Sequence, residues 1–170
     1  LIYGMSAFGL KNSTGITLAE AENFVKAYFE KFPGVKSYLD GIRRQAASQG
    51  YVETLLGRRR YFPALQTKSN PQMKNREERE AINAPIQGTA ADIMKIAMLQ
   101  IPSVLAKAKL KGKMLLQVHD ELLFEVDEAA ADTLIAVAKQ VMEGASHPAV
   151  HLKVPLIVEA GKGANWAQAH

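Results

Sequence analysis

The sequence predicts an α+β chain, with helices in its first half followed by a small antiparallel sheet backed by helices. Three observations lead there. Thr17 and Glu20 form a T-x-x-E capping signature ahead of apolar residues at helical spacing. Aromatic and β-branched residues flank Gly57 in the segment 51–62, as in a short hairpin. Two apolar runs within 114–126 enclose the polar tip His119-Asp120-Glu121.

Taken in order, the first helix starts after Thr17, and Leu18, Ala21, Val25, Tyr28 and Phe32 mark its apolar face. Pro33-Gly34 breaks it. A second helix follows over about 35–48, ended by Gly50, and the pair is expected to form an antiparallel hairpin of helices. After the 51–62 hairpin, 63–71 reads as a polar connector and a subdomain boundary. Helical periodicity returns over 74–108. Pro85 and Gly88 should bend that helix near 83–88, and Pro102 should end its main part. Beyond the two strands of 114–126, Asp127 can cap a helix over 128–143 with Leu134, Ala138 and Val141 inward and Gly144 as its stop. A last strand is expected over 156–160, before a Gly-rich tail with Asn165 and Trp166.

A length of 170 residues suits one ordinary domain or two incomplete parts of a larger one, and 48% apolar residues can build a core. No continuous apolar run approaches the roughly 20 residues of a membrane span, and the N-terminus has no secretory pattern. The chain does not start with Met, so it is expected to begin inside a longer protein. With no cysteine, disulfides and thiolate metal sites are excluded, and the cytoplasm is the default compartment. Residues 58–79 carry Arg58, Arg59, Arg60, Lys68, Lys74, Arg76 and Arg79 against Glu77 and Glu78, a net +5 where the whole chain is +4. Such a local stretch fits a polyanion, or else a solvated loop-and-helix face.

Two constellations could carry chemistry. Asp120 and Glu121 are adjacent carboxylates between apolar strands, where mutual repulsion and burial must be offset. A divalent cation with oxygen ligands, Mg²⁺ or Mn²⁺, would do so, and Mg²⁺ takes few protein carboxylates where it serves phosphoryl transfer. The plain alternative is an exposed hairpin turn. A His119–Asp120 acid–base pair would need a distorted turn, and His147, His151 and His170 show no zinc spacing with His119. The second constellation is Arg79, Asn83 and Gln87, at i, i+4 and i+8 on one helical face. All three donate hydrogen bonds, and the DNA minor groove presents acceptors at every base pair. A solvated helix face has the same spacing.

Five segments, in order, resemble the family A, polymerase I-like, DNA polymerases. Tyr3-Gly4-Met5-Ser6 is similar to the end of the family's nucleotide-binding fingers motif. Gly57-Arg58-Arg59-Arg60-Tyr61 and the ending Asn165–His170 look like family features. The stretch Arg79–Asp92 resembles the primer–template helix. Leu116-Gln117-Val118-His119-Asp120-Glu121 resembles the palm motif that carries a catalytic carboxylate. The likeness covers essentially the whole chain.

The resemblance implies a C-terminal part of a template-directed DNA polymerase, with residues 1–70 as partial fingers and 71–170 as the C-terminal part of the palm. It implies that Asp120 binds two catalytic Mg²⁺ ions, for which Mn²⁺ can substitute, with Glu121 in support. Arg79, Asn83, Gln87, Gln117, His119, Arg58 and Arg59 would contact primer–template DNA, His119 at the primer end. Tyr3 would lie at the templating base, with Gly4 allowing close packing, and a dNTP would be the second substrate. The family's other metal-binding aspartate, its triphosphate-gripping Arg and Lys and its thumb find no match here, and would lie upstream. The expectation is therefore a proteolytic fragment, one chain of a split enzyme or a partly resolved protein, inactive alone and partnered by the missing N-terminal portion, with no membrane. A non-catalytic DNA-binding module and a metal-dependent nuclease remain the rival readings.

Overall fold

The computed structural model describes residues 1–169; His170, the end of the C-terminal signature, lies outside them. The chain forms two compact units, Leu1–Gly88 and Thr89–His170. The fold is α+β, with two separate two-stranded antiparallel sheets.

The first unit opens with α1 (Ala7–Thr14), which the periodicity did not reveal. Ser6 caps it by accepting from Gly9 N–H, and Gly15 closes it at φ 77°. A helix of eight residues with no buried side chain leaves little apolar pattern to read. The Thr17 capping box forms as expected and starts α2 (Leu18–Lys31), where only Ala21 is fully buried. α3 (Pro33–Gln49) begins directly at Pro33, a residue suited to the first turn, and Gly50 ends it at φ 77°. β1 (Tyr51–Glu53) pairs antiparallel with β2 (Arg59–Tyr61), with Tyr51 opposite Tyr61. The expected connector holds a short helix, α4 (Pro63–Gln66), because Phe62 and Ala64 turn inward. Ala46, Val52, Phe62, Ala81 and Ala84 form this unit's core.

α5 (Pro71–Lys107) supplies Ala81 and Ala84 to that core and Ile101 and Leu105 to the core of the second unit. It runs as one assigned helix through Pro85 and Gly88, and Pro102 does not end it. A proline removes one backbone donor and crowds one turn; a helix whose Ala81, Ile82, Ala84, Pro85 and Ile101 are buried tolerates that loss. By length and composition α5 could cross a bilayer, with a mean hydropathy of 1.2 over 18 residues. Its Ile93, Ala97, Ile101 and Leu105 are instead buried within the protein.

In the second unit β3 (Lys113–Val118) pairs antiparallel with β4 (Glu121–Glu125). A short 3₁₀ turn (Glu128–Ala130) precedes α6 (Ala131–Gly144). Asp127 makes no side-chain cap; its carbonyl accepts from Ala130 N–H instead. Leu122, Phe124, Val126 and Val141 pack on Ile101, Leu105, Leu134 and Ala138. The strand expected over 156–160 does not form. That stretch pairs with no ladder, and Val158 N–H donates to the Glu143 side chain at 3.0 Å. Apolar alternation alone cannot supply a strand's partner. The chain finishes with α7 (Trp166–Ala169).

Candidate nucleic-acid interface and acidic turn

In the first unit, Arg79, Asn83 and Gln87 lie along α5 at i, i+4 and i+8 and so share one side of the helix. Arg79 and Gln87 are exposed, Asn83 half-buried. Arg79 and Gln87 have no hydrogen-bond or ion-pair partner among the described residues, and neither has the buried Oδ1 of Asn83. Buried amide oxygens are usually satisfied, so this row presents capacity that the described fold does not use.

The charges around the row are tied down. The Glu80 carboxylate accepts from Arg76 Nε at 2.8 Å and from Arg60 Nη2 across the fold. The Arg76 hydrogen bond, helped by the charge of Arg60, holds the Glu80 carboxyl below the usual range against some desolvation. Arg59 bonds Glu53 at 2.7 Å and lies over the Tyr51 ring at 4.5 Å, so its guanidinium is committed within the hairpin. Arg58 Nη2 donates to the Gly88 carbonyl at 3.1 Å, one residue past Gln87.

Gly4 reaches the same helix. Its N–H closes a turn on Leu1 at 2.9 Å, and its φ of 79° is one that a side chain rarely adopts. A Cβ there would meet Arg79 Cγ at 3.1 Å and Ile82 Cδ1 at 3.6 Å. The fold therefore brings the Tyr3-Gly4 segment, with Tyr3 exposed, against the start of the polar row.

In the second unit, pairing of Val118 with Glu121 leaves His119-Asp120 as a two-residue hairpin loop. His119 takes φ 54°, a positive value that matches the twist of such loops. Only a few per cent of non-glycine residues adopt it, His among the more tolerant, and the conformation is mildly strained. Gln117 Nε2 spans the turn and donates to the His119 carbonyl at 2.9 Å. A register shift between Met114 and Leu116 places a bulge in β3, a device common beside functional sites.

Asp120 and Glu121 are exposed at this tip, and Asp120 has no partner among the described residues. Two adjacent carboxylates, one of them unspent, suit a hard divalent cation. No group of three or more metal-capable His, Asp or Glu side chains gathers among the described residues. The donor set thus fits Mg²⁺, which takes one or two carboxylates and fills its shell with water and phosphate oxygens, and not a zinc cage. His147 and His151 face each other, ring centroids 4.6 Å apart.

Residues 1–168 match the sequence profile of DNA polymerase family A. The chain belongs to that family. It is 49% identical over 170 residues to DNA polymerase I of Pseudomonas aeruginosa, covering 100% of this chain and 18% of that protein. To DNA polymerase I of Rhizobium leguminosarum it is 46% identical over 172 residues, covering 100% of this chain and 17% of that one. Among solved structures it is similar to the polymerase domain of Pol1 from M. smegmatis, in complex with DNA primer-template and dNTP. That likeness has a TM-score of 0.89 at 45% identity, over 99% of this chain and 29% of the other. The chain spans less than a fifth of the length of the two curated relatives.

The family-like segments occupy two kinds of scaffold here, a helix face with its flanking hairpin and a tight strand turn. Sequence reasoning named Gln117 as a DNA contact and Gly88 as a helix bend, but missed Thr54 and the bracing contacts that all three make. Thr54 and Gly88 seat the hairpin on α5, and Gln117 ties the acidic turn. An unexplained glycine within a helical pattern was the one available signal.

Proposed function

We propose that this chain is the C-terminal part of the polymerase region of a template-directed DNA polymerase, with 1–70 belonging to the fingers and 71–170 to the palm. The observation that carries the reading is the exposed Asp120, without a partner among the described residues, at a two-residue strand turn in a chain that matches family A over residues 1–168. The reaction is attack of a primer 3′-oxygen on the α-phosphorus of a dNTP. A new P–O bond forms, the α–β bridging bond breaks, pyrophosphate leaves, and the hydroxyl proton passes to solvent.

Asp120 would hold the divalent ions, with Glu121 beside it. Two Mg²⁺ ions, or Mn²⁺ in their place, would favour the ionised 3′-oxygen and offset charge on the departing pyrophosphate. His119, in the same two-residue turn as Asp120, would touch the primer end. Arg79, Asn83 and Gln87 would donate to minor-groove acceptors of the primer–template duplex, a grip that does not depend on sequence. Arg58 would add a contact to the DNA backbone, and Arg59 a weaker one because Glu53 already holds it. Tyr3 would meet the templating base. The remaining polymerase portion would supply the second carboxylate and the triphosphate grip, and the whole would act on bacterial DNA in the cytoplasm during replication and repair.

The test is Asp120→Ala in the intact polymerase. Primer extension should fall by at least about a thousandfold, the scale expected when one electrostatic anchor is lost, while duplex affinity stays nearly unchanged. Normal turnover with lost DNA binding would overturn the assignment.

A further inference from the structure

The acidic turn is built on a residue in an unfavourable conformation. His119 and Asp120 form the two-residue loop between β3 and β4, closed by the pairing of Val118 with Glu121. Of the two, only His119 has a positive φ, 54°. That is the pattern of a type II′ loop, whose first position ordinarily takes glycine. Histidine there carries a strain that glycine would not. Strained positions persist where their surroundings hold them, and they gather at functional sites.

Gln117 supplies such a hold. It is exposed on β3, two residues before His119, and its Nε2 donates to the His119 carbonyl at 2.9 Å. That carbonyl belongs to the peptide group joining His119 to Asp120. A peptide group is planar and turns as a unit, so a bond that fixes its carbonyl also fixes how the chain enters Asp120. The Asp120 carboxylate is exposed and has no partner among the described residues. Its place follows from the backbone that carries it.

We propose that Gln117 is a positioning residue: by bonding the His119 carbonyl, its amide holds the strained loop and so fixes where the Asp120 carboxylate stands for the divalent ions. The inference rests on the reading of Asp120 as a metal-binding carboxylate and deepens it. Gln117 touches neither ion nor substrate in this role. That separates it from the duplex contact which the family likeness implies for it.

The experiment titrates Mn²⁺ into the intact polymerase on a primer–template with a dideoxy primer end, read by electron paramagnetic resonance. Duplex affinity is measured alongside, without metal. Gln117→Ala and Gln117→Met both remove the donor, the second while keeping most of the length. Each should weaken Mn²⁺ binding by about three- to tenfold, the scale of one hydrogen bond, and leave duplex affinity nearly unchanged. The metal concentration for half-maximal primer extension should rise by the same factor. In a His119→Gly background the glycine takes the positive φ unaided, so adding Gln117→Ala should cost almost nothing more. Weakened duplex binding with unchanged Mn²⁺ binding makes Gln117 a DNA contact and overturns the proposal. A loss in Gln117→Ala but not in Gln117→Met overturns it too, as does a full Gln117→Ala effect in the His119→Gly background. Failure of the underlying reading looks different, since Asp120→Ala would then bind Mn²⁺ like the wild type.

Discussion

The two units present their candidate residues in opposite ways. In the first, Arg79, Asn83 and Gln87 stand on one helix, and the surrounding charges Arg59, Arg60, Arg76 and Glu80 are spent on ion pairs. In the second, Asp120 stands on a two-residue turn next to a residue at φ 54°. A helix keeps side chains at fixed 3.6-residue spacing and suits a grip repeated along a duplex. A strand turn thrusts one carboxylate clear of its neighbours, where ions and phosphates can complete its shell. Among the described residues, the flanking charges of the first unit are paired while Arg79 and Gln87 are not, and in the second unit Asp120 has no partner.

Asp120→Ala is the sharpest way to break this contrast, because it should remove turnover and spare binding. Gly4→Ala should be next. At φ 79° with Arg79 Cγ at 3.1 Å, it is expected to cost about 1–3 kcal/mol. It should weaken DNA binding together with stability, read by thermal unfolding and by duplex titration. Gln87→Ala should weaken duplex binding roughly tenfold, about 1.4 kcal/mol, and leave the extension rate at saturating DNA nearly intact. A fall in that rate with unchanged affinity would dissolve the division of labour between helix and turn. His119→Gly should relieve the positive φ and stabilise the hairpin by up to about 1 kcal/mol, while extension slows if the ring touches the primer end as proposed.

The smallest effect is that of pH on Glu80. Its folded carboxyl lies below the ordinary value because of Arg76 and Arg60. Its contribution is therefore complete above the unfolded-state value and is lost as pH falls through the folded one. The wild type should melt higher than Glu80→Gln at neutral pH, and the gap should close under acid. Because the pair is largely solvent-exposed, the gap should be a few tenths of a kcal/mol at most. A gap that widens under acid would show that the carboxylate is not the stabilised form.

Part of this architecture is legible in the order of the residues. The Thr17 box, the Gly50 stop and both hairpins are local signals in which neighbouring residues satisfy one another, and they form as read. The readings that failed turn partly on the surroundings that tertiary structure supplies and partly on local backbone choices. Residues 156–160 look like a strand and find no ladder, and Pro102 looks like a stop while the helix continues to Lys107. Asp127 looks like a cap and leaves the task to its backbone. Among the candidate residues, the helical row and the acidic tip were visible, but Gln117's brace on His119 was not, since it depends on a turn whose φ the letters do not state.

By itself, the sequence determined the family, the α+β order of elements and the placing of three donors on one helix face, because motifs, caps and periodicity are set by residues a few positions apart. Tertiary structure alone decided which charges are spent and which remain. It paired Arg59 and Arg60 with carboxylates, anchored Arg58 on Gly88, and left Asp120 without a partner among the described residues. A charged side chain bonds whichever group the fold brings within reach, and that distance is not written in the order of the residues.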